Sequence, residues 1–142
     1  MIRQRGKVTW QGWKRAVGAW GPVLIYMVVI FAVSAQSRLP PPPIIGPWDK
    51  LQHALVYFGF GLIGFRGAML QPVTGRLGPY VVSLLLGGLY GGSDEYHQSF
   101  VPGRTASGLD WLADILGVMA ALAVIGIMRS RRTNGGKRVG KI

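Results

Sequence analysis

Apolar residues follow one another along this chain in four runs, and polar positions concentrate between the runs and at the chain ends. A helix that crosses a bilayer needs about 20 predominantly apolar residues, and the four runs approach that length. The pattern predicts four transmembrane helices, near residues 17–35, 51–70, 77–93 and 109–128. We therefore expect an all-α protein, a small helical bundle packed inside lipid.

The four runs are interpreted as one domain. It covers residues 17–128, between a basic N-terminal segment, residues 1–16, and a basic tail, residues 129–142. The alternative is a cleaved first run, because Val33, Ser34 and Ala35 resemble a signal-peptide cleavage site. That run is longer than the about 7–15 apolar residues of a usual signal peptide, so we favour a retained helix.

The composition and the charge distribution also indicate a membrane protein. Of the 142 residues, 49% are hydrophobic and only 15% are charged, whereas soluble domains carry about 25% charged residues. Thirteen of the sixteen basic residues lie before the first run, at or beside the connection between the second and third, or after the fourth. This alternation follows the positive-inside rule and predicts a multi-pass protein of the plasma membrane with both termini cytoplasmic. We expect the basic residues behind the net charge of +11 to contact membrane lipid and not nucleic acid.

The connections between the runs contain residues that end helices. Residues 40–43 are all proline and favour an extended polyproline II spacer. Pro72 and Gly75 interrupt the second connection, and Pro102-Gly103 is a turn signal in the third. Within the runs, small residues at helical spacing allow close helix packing; they are Gly87, Gly88, Gly91, Gly92, Ala113, Gly117, Ala120, Ala121 and Gly126.

The few titratable side chains gather at one predicted face of the membrane, the outer one. They are Asp49, His53, Asp94, Glu95, His97, Asp110 and Asp114. Asp49 and His53 are four residues apart, as are Asp110 and Asp114, so each pair shares a helix face. Charged groups near lipid are costly and are commonly functional, so this grouping predicts a site.

Two kinds of chemistry fit this group of residues. A histidine beside a carboxylate can act as a general acid/base pair. The candidate catalytic residues are His53, Asp49, Glu95 and Asp110. Basic side chains can instead hold an anionic headgroup, with polar neighbours orienting it. The candidate ligand-binding residues are Lys50, Asp94, Gln98, Arg104 and Asp114.

Two further interpretations stay open. The cluster could bind a divalent cation, but the sequence has no HExxH or other ligand spacing, so we assign no metal ligand and leave the cofactor unknown. The charges could also only lock the bundle, through ion pairs among Asp49, Lys50, Arg104 and Asp110. In that interpretation Asp94 and Glu95 form a solvated helix end.

Three polar motifs together resemble the VanZ-like family. They are Asp49-Lys50-x-x-His53-x-x-x-Tyr57, Asp94-Glu95-x-x-Gln98-x-Phe100-x-Pro102-Gly103-Arg104, and Asp110 followed by Ala113 and Gly117. The resemblance covers residues 48–121. It implies a small integral membrane protein, and the family takes its name from a protein tied to resistance against the glycopeptide teicoplanin. The family commonly has asparagine where this chain has Asp114, which is the most deeply placed acid of the cluster.

From the resemblance we expect a role in the cell envelope or in glycopeptide response, through binding of an amphiphilic or anionic headgroup. A membrane hydrolase or transferase acting on a lipid-linked or phosphorylated headgroup is the alternative. A structural or partner-binding bundle is the second alternative. The sequence does not determine the oligomeric state.

Overall fold

A computed structural model describes residues 10–37, 46–72 and 75–139 of the chain. Within these ranges the backbone forms four α-helices and no strand, which confirms the all-α prediction. The helices are α1 (Trp10–Ser34), α2 (Gly46–Met69), α3 (Gly78–Gln98) and α4 (Gly108–Val139). The proline run at residues 40–43 lies outside the described residues.

Each helix extends beyond the apolar run that predicted it. The largest extension is in α4, which continues from residue 128 to Val139 through a basic segment. Arg129, Arg131 and Arg132 are good helix formers and extend the backbone ladder past the apolar run, and the helix continues to Val139 although Gly135 and Gly136 are poor helix formers. The predicted turns are confirmed, because Gly75 and Gly103 both adopt a positive φ of 79°. Ser107 caps the start of α4, with its Oγ 3.4 Å from the Asp110 backbone nitrogen.

The helices run alternately up and down, and α2 is central. It packs most extensively against α4 and also contacts α1 and α3. Contacts near matching ends show that α2 and α4 are parallel, as are α1 and α3. The Ser34 hydroxyl near the end of α1 meets Asp94 near the end of α3. At the opposite end of the bundle, Arg66 of α2 donates to the Gly18 carbonyl of α1.

The middle of the bundle is filled by aromatic and aliphatic side chains. Phe60 is central, with its ring stacked 5.7 Å from Tyr57 and 5.7 Å from Tyr90. Val118 of α4 is fully buried beside them. This apolar layer separates the acidic end of the bundle from its basic end.

Glycines let the helices approach closely, as the small-residue pattern predicted. A Cβ at Gly87 would lie 2.6 Å from a Val118 methyl carbon. At Gly117 an added Cβ would collide with the Ala54 carbonyl oxygen of α2. The contact between α2 and α4 therefore depends on a position without a side chain.

Two helices are long and apolar enough to cross a membrane, namely Trp10–Ser34 and Gly108–Arg132. In α2 and α3, charged and polar residues near the helix ends shorten the apolar stretch. The structure thus supports two of the four predicted spans by length and composition.

We expect Gly117→Ala to lower the stability of the protein in detergent by about 1–3 kcal/mol, because the added methyl group forces α2 and α4 apart. Thermal unfolding of the purified protein measures the change. Gly126→Ala is the matched control, since its new Cβ would meet only the Tyr80 hydroxyl at 3.9 Å. Equal stability of the two variants would contradict the close contact at Gly117.

Candidate functional site

The polar site lies at the end of the bundle where α2 and α4 begin and α1 and α3 finish. The alternating helix directions bring the residues of all three sequence motifs to this end. The buried polar side chains there are Ser34, Asp94, Glu95, Gln98, Asp110 and Asp114. The residues of the three motifs therefore lie together in space, at the same end of the bundle.

The centre of the site is a group of three side chains from three helices. His53 Nδ1 lies 3.0 Å from Asp114 Oδ1 and 3.9 Å from Glu95 Oε1. The Asp114 side chain is 0% exposed and that of His53 is 11% exposed. An imidazole held between two carboxylates can accept or transfer a proton or share a ligand with them.

Two neighbouring acids on α3 have separate partners. Asp94 accepts a hydrogen bond from the Ser34 hydroxyl at 2.5 Å and another from the Gln98 amide at 3.1 Å. Glu95 Oε2 accepts from the Ser107 backbone N–H at 2.8 Å. Both carboxylates are buried, so the interpretation of this segment as a solvated helix end is wrong.

The two basic residues of the site are already engaged. Lys50 forms an ion pair with Asp110, Nζ to Oδ1 3.0 Å, as the helix-locking interpretation predicted for these two residues. Arg104 donates to the Val33 carbonyl at 3.1 Å and to the Gln36 carbonyl at 3.3 Å. A cation at the carbonyl end of α1 is favourable, so Arg104 ties the α3–α4 connection to α1.

A cleft of about 190 Å³ opens beside the site, between α1, α2 and α3. Its apolar wall includes Val29, Val33 and Val56, each at least 40% exposed. Its polar end is formed by Ser34, Gln52, His53, Asp94, Gln98 and Arg104. The volume is below the about 300–1,000 Å³ of drug-sized pockets and suits a headgroup or part of a chain.

Not every candidate lies at the centre. Asp49 is half-buried in the first turn of α2, with its carboxylate near His53 and Asp110. His97 is separate, because its ring stacks 4.4 Å from Phe31 of α1.

Sequence reasoning missed two groups of this site. Ser34 was interpreted only as a possible cleavage position, and no role at the acidic site was predicted for the Ser107 N–H. A lone serine near the end of an apolar run was the available signal for Ser34, since buried hydroxyls need partners.

The fold and the site define a helical membrane-type protein with a polar cluster at one end. A family model for VanZ/LLP1 matches residues 20–129, so the chain belongs to the VanZ/LLP1 family. The match includes α2, α3 and the first part of α4, and it extends into α1 beyond the motif region 48–121. No curated protein matches the chain, and no solved structure matches it.

Ser34→Ala is expected to destabilise the protein by about 1–3 kcal/mol, because Asp94 loses a buried hydrogen-bond donor. Unfolding titrations in sodium dodecyl sulfate measure this loss. Ser93→Ala is the control, since Ser93 is exposed and its hydroxyl donates within its own helix to the Tyr90 carbonyl. A loss no larger than that of Ser93→Ala would show that the Ser34–Asp94 bond does not hold α1 in place.

Proposed function

We propose that the protein is a four-span plasma-membrane protein whose outward-facing site binds the headgroup of an amphiphile. Exposed large apolar side chains on all four helices support the four spans. Examples are Ile25 on α1 at 68%, Leu55 on α2 at 62%, Leu89 on α3 at 74% and Leu116 on α4 at 54% exposed. Apolar surface on every helix, with polar groups buried between them, is the pattern expected in lipid.

The charge distribution supports the orientation with both termini in the cytoplasm. Arg66 and Arg129 lie at the end of the bundle opposite the acids, where Arg129 donates to the Met69 sulfur. Basic residues favour the cytoplasmic side. In this orientation the polar site faces the outer leaflet.

The cleft is the observation that carries the binding proposal. Its valine wall is open to the lipid side of α1 and α2, and the wall leads to His53, Gln98 and Arg104. An amphiphile can place a chain along the valines while its headgroup reaches the polar end. A cleft with one apolar side and a few convergent polar groups is the usual form of a small-molecule site.

Lys50 and Arg104 do not both remain available to bind an anionic headgroup. Lys50 is neutralised by Asp110, and Arg104 donates to α1 carbonyls. Arg104 also lines the cleft, so it is the basic residue that we place beside the headgroup. Family membership supports a link to glycopeptide response, and we propose teicoplanin, itself an amphiphile, as a relevant challenge.

The second candidate function is a hydrolase or transferase acting on a phosphorylated or lipid-linked headgroup. The His53–Asp114 contact at 3.0 Å favours it, because a carboxylate can orient the imidazole of a general base. We rank it second, because binding requires only the cleft whereas turnover also requires an aligned substrate.

Single cysteines test the topology, since the chain has no cysteine of its own. Thr105→Cys, in the exposed α3–α4 connection, is expected to react in whole cells with a membrane-impermeant maleimide. Arg76→Cys, exposed before α3, is expected to react only after permeabilisation. The reverse labelling pattern would contradict the outward orientation of the site.

Val29→Trp tests the cleft without changing a charge. The indole fills the apolar wall, and we expect phosphatidylglycerol to bind the purified protein about tenfold more weakly, which corresponds to ~1.4 kcal/mol. Native mass spectrometry of the protein titrated with phosphatidylglycerol measures the bound lipid. In a susceptible bacterium, any teicoplanin tolerance conferred by the protein should fall with the same substitution.

Val28→Trp is the matched control for this experiment, because Val28 is 66% exposed and does not line the cleft. Equal lipid retention by the two variants would contradict binding in the cleft. Release of a headgroup product during the titration would favour the enzymatic candidate over binding alone.

A further inference from the structure

The ligand atoms of His53, Glu95 and Asp114 are close enough together to share one ion. One atom from each side chain lies within 4.8 Å of the other two. The imidazole nitrogen is 3.0 Å from an Asp114 oxygen and 3.9 Å from a Glu95 oxygen. Metal bonds of about 2.0–2.2 Å to nitrogen and oxygen place neighbouring ligand atoms about 3.0–3.5 Å apart. The three side chains need only small movements to reach that spacing.

Two buried oxygen atoms at this position have no hydrogen-bond partner among the described residues. They are Glu95 Oε1 and Asp114 Oδ2. Glu95 is 6% exposed and Asp114 is 0% exposed. Buried carboxylate oxygens ordinarily accept hydrogen bonds, and an unpaired buried charge is costly. No lysine or arginine in the described part of the chain forms an ion pair with either carboxylate.

The geometry points to a divalent transition-metal site formed by His53, Glu95 and Asp114. One imidazole nitrogen and two carboxylate oxygens form a donor set that suits Zn²⁺ or Mn²⁺. Three protein ligands leave at least one coordination position for water or for an oxygen atom of a ligand. The sequence led us to assign no metal ligand, because the three residues come from three helices and show no local spacing.

A second group shares His53, because Asp49, His53 and Asp110 also have ligand atoms within 4.8 Å of one another. This group is the weaker candidate. Asp110 is already paired with Lys50, and Asp49 is only half-buried. Asp49 is therefore a useful control, since it is an acid one helical turn from His53 but outside the proposed ligand set.

The site goes beyond the proposed headgroup binding and does not depend on it, since Glu95 and Asp114 do not line the cleft. His53 is common to both. A cation held by His53 can therefore attract phosphate or carboxylate oxygens to the polar end of the cleft. This would supply positive charge where Lys50 is already neutralised.

The test uses the full chain, purified in detergent, stripped with EDTA and dialysed against Zn²⁺ or Mn²⁺ without added lipid. Elemental analysis should find about one ion per chain, as expected for a single site with three protein ligands. Glu95→Gln and Asp114→Asn should weaken the affinity by at least about tenfold in calorimetry, while Asp49→Asn changes it little. Substoichiometric metal on the unmutated chain, or an equal loss in Asp49→Asn, would overturn the site.

A second measurement avoids variants that fail to fold. Pulsed electron paramagnetic resonance of Mn²⁺ bound to the unmutated protein should show coupling to a histidine nitrogen, and absence of that coupling would overturn the assignment. The phosphatidylglycerol titration separates the two proposals. Metal binding with lipid retention equal in Val29→Trp and Val28→Trp supports the metal site and contradicts the cleft.

Discussion

Carboxylates buried between helices constrain the rest of this structure. Asp94, Glu95 and Asp114 are removed from solvent at one end of a bundle whose outer surface is apolar. Each needs a polar group within reach, because an isolated buried charge is far more costly than a paired one. The partners come from α1, α2 and α3 and from the Ser107 N–H just before α4, so the requirement fixes how the helix ends meet. The helix directions and the turn at Gly103 follow from bringing these groups together.

Close helix packing makes that meeting possible. Gly117 lies against the Ala54 backbone, and a Cβ at Gly91 would lie 3.0 Å from Asp114 Oδ2. Larger residues at these positions would hold α4 away from α2 and α3, and the His53–Asp114 contact would open. The glycines in the middle of the helices and the charged residues at the helix ends thus both contribute to the same packing of α2, α3 and α4. In lipid, dispersion contacts of this kind replace the hydrophobic effect as the force between helices.

The sequence predicted the helices and turns well, but it predicted the contacts between side chains of different helices less well. The apolar runs predicted four helices, and Pro72, Gly75 and Gly103 predicted the turns, because these depend on backbone preferences within a few residues. The acids all lie near predicted outer helix ends in the sequence, and this correctly indicated that they would lie together at one end of the bundle. The Lys50–Asp110 pair was among the predicted alternatives, but the partner of Asp94 was not predictable, since Ser34 pairs with it across 60 positions. The sequence left Lys50 and Arg104 either beside a ligand or in helix-locking ion pairs, and the structure shows Lys50 paired with Asp110 and Arg104 donating to α1 carbonyls.

Asp114 stands where the resemblance to the VanZ-like family implies an asparagine. An asparagine there would present an amide that can donate to a neighbouring carboxylate such as Glu95, and the group would carry one negative charge fewer. An ionised aspartate can accept hydrogen bonds but cannot donate one. This chain therefore has two acids, Glu95 and Asp114, and no amide donor beside the His53 imidazole, in a site that is shielded from water. The added charge needs a compensating positive one, which a proton on His53 or a bound cation can provide. A headgroup that reaches the cleft would then meet a site whose charge depends on what His53 holds.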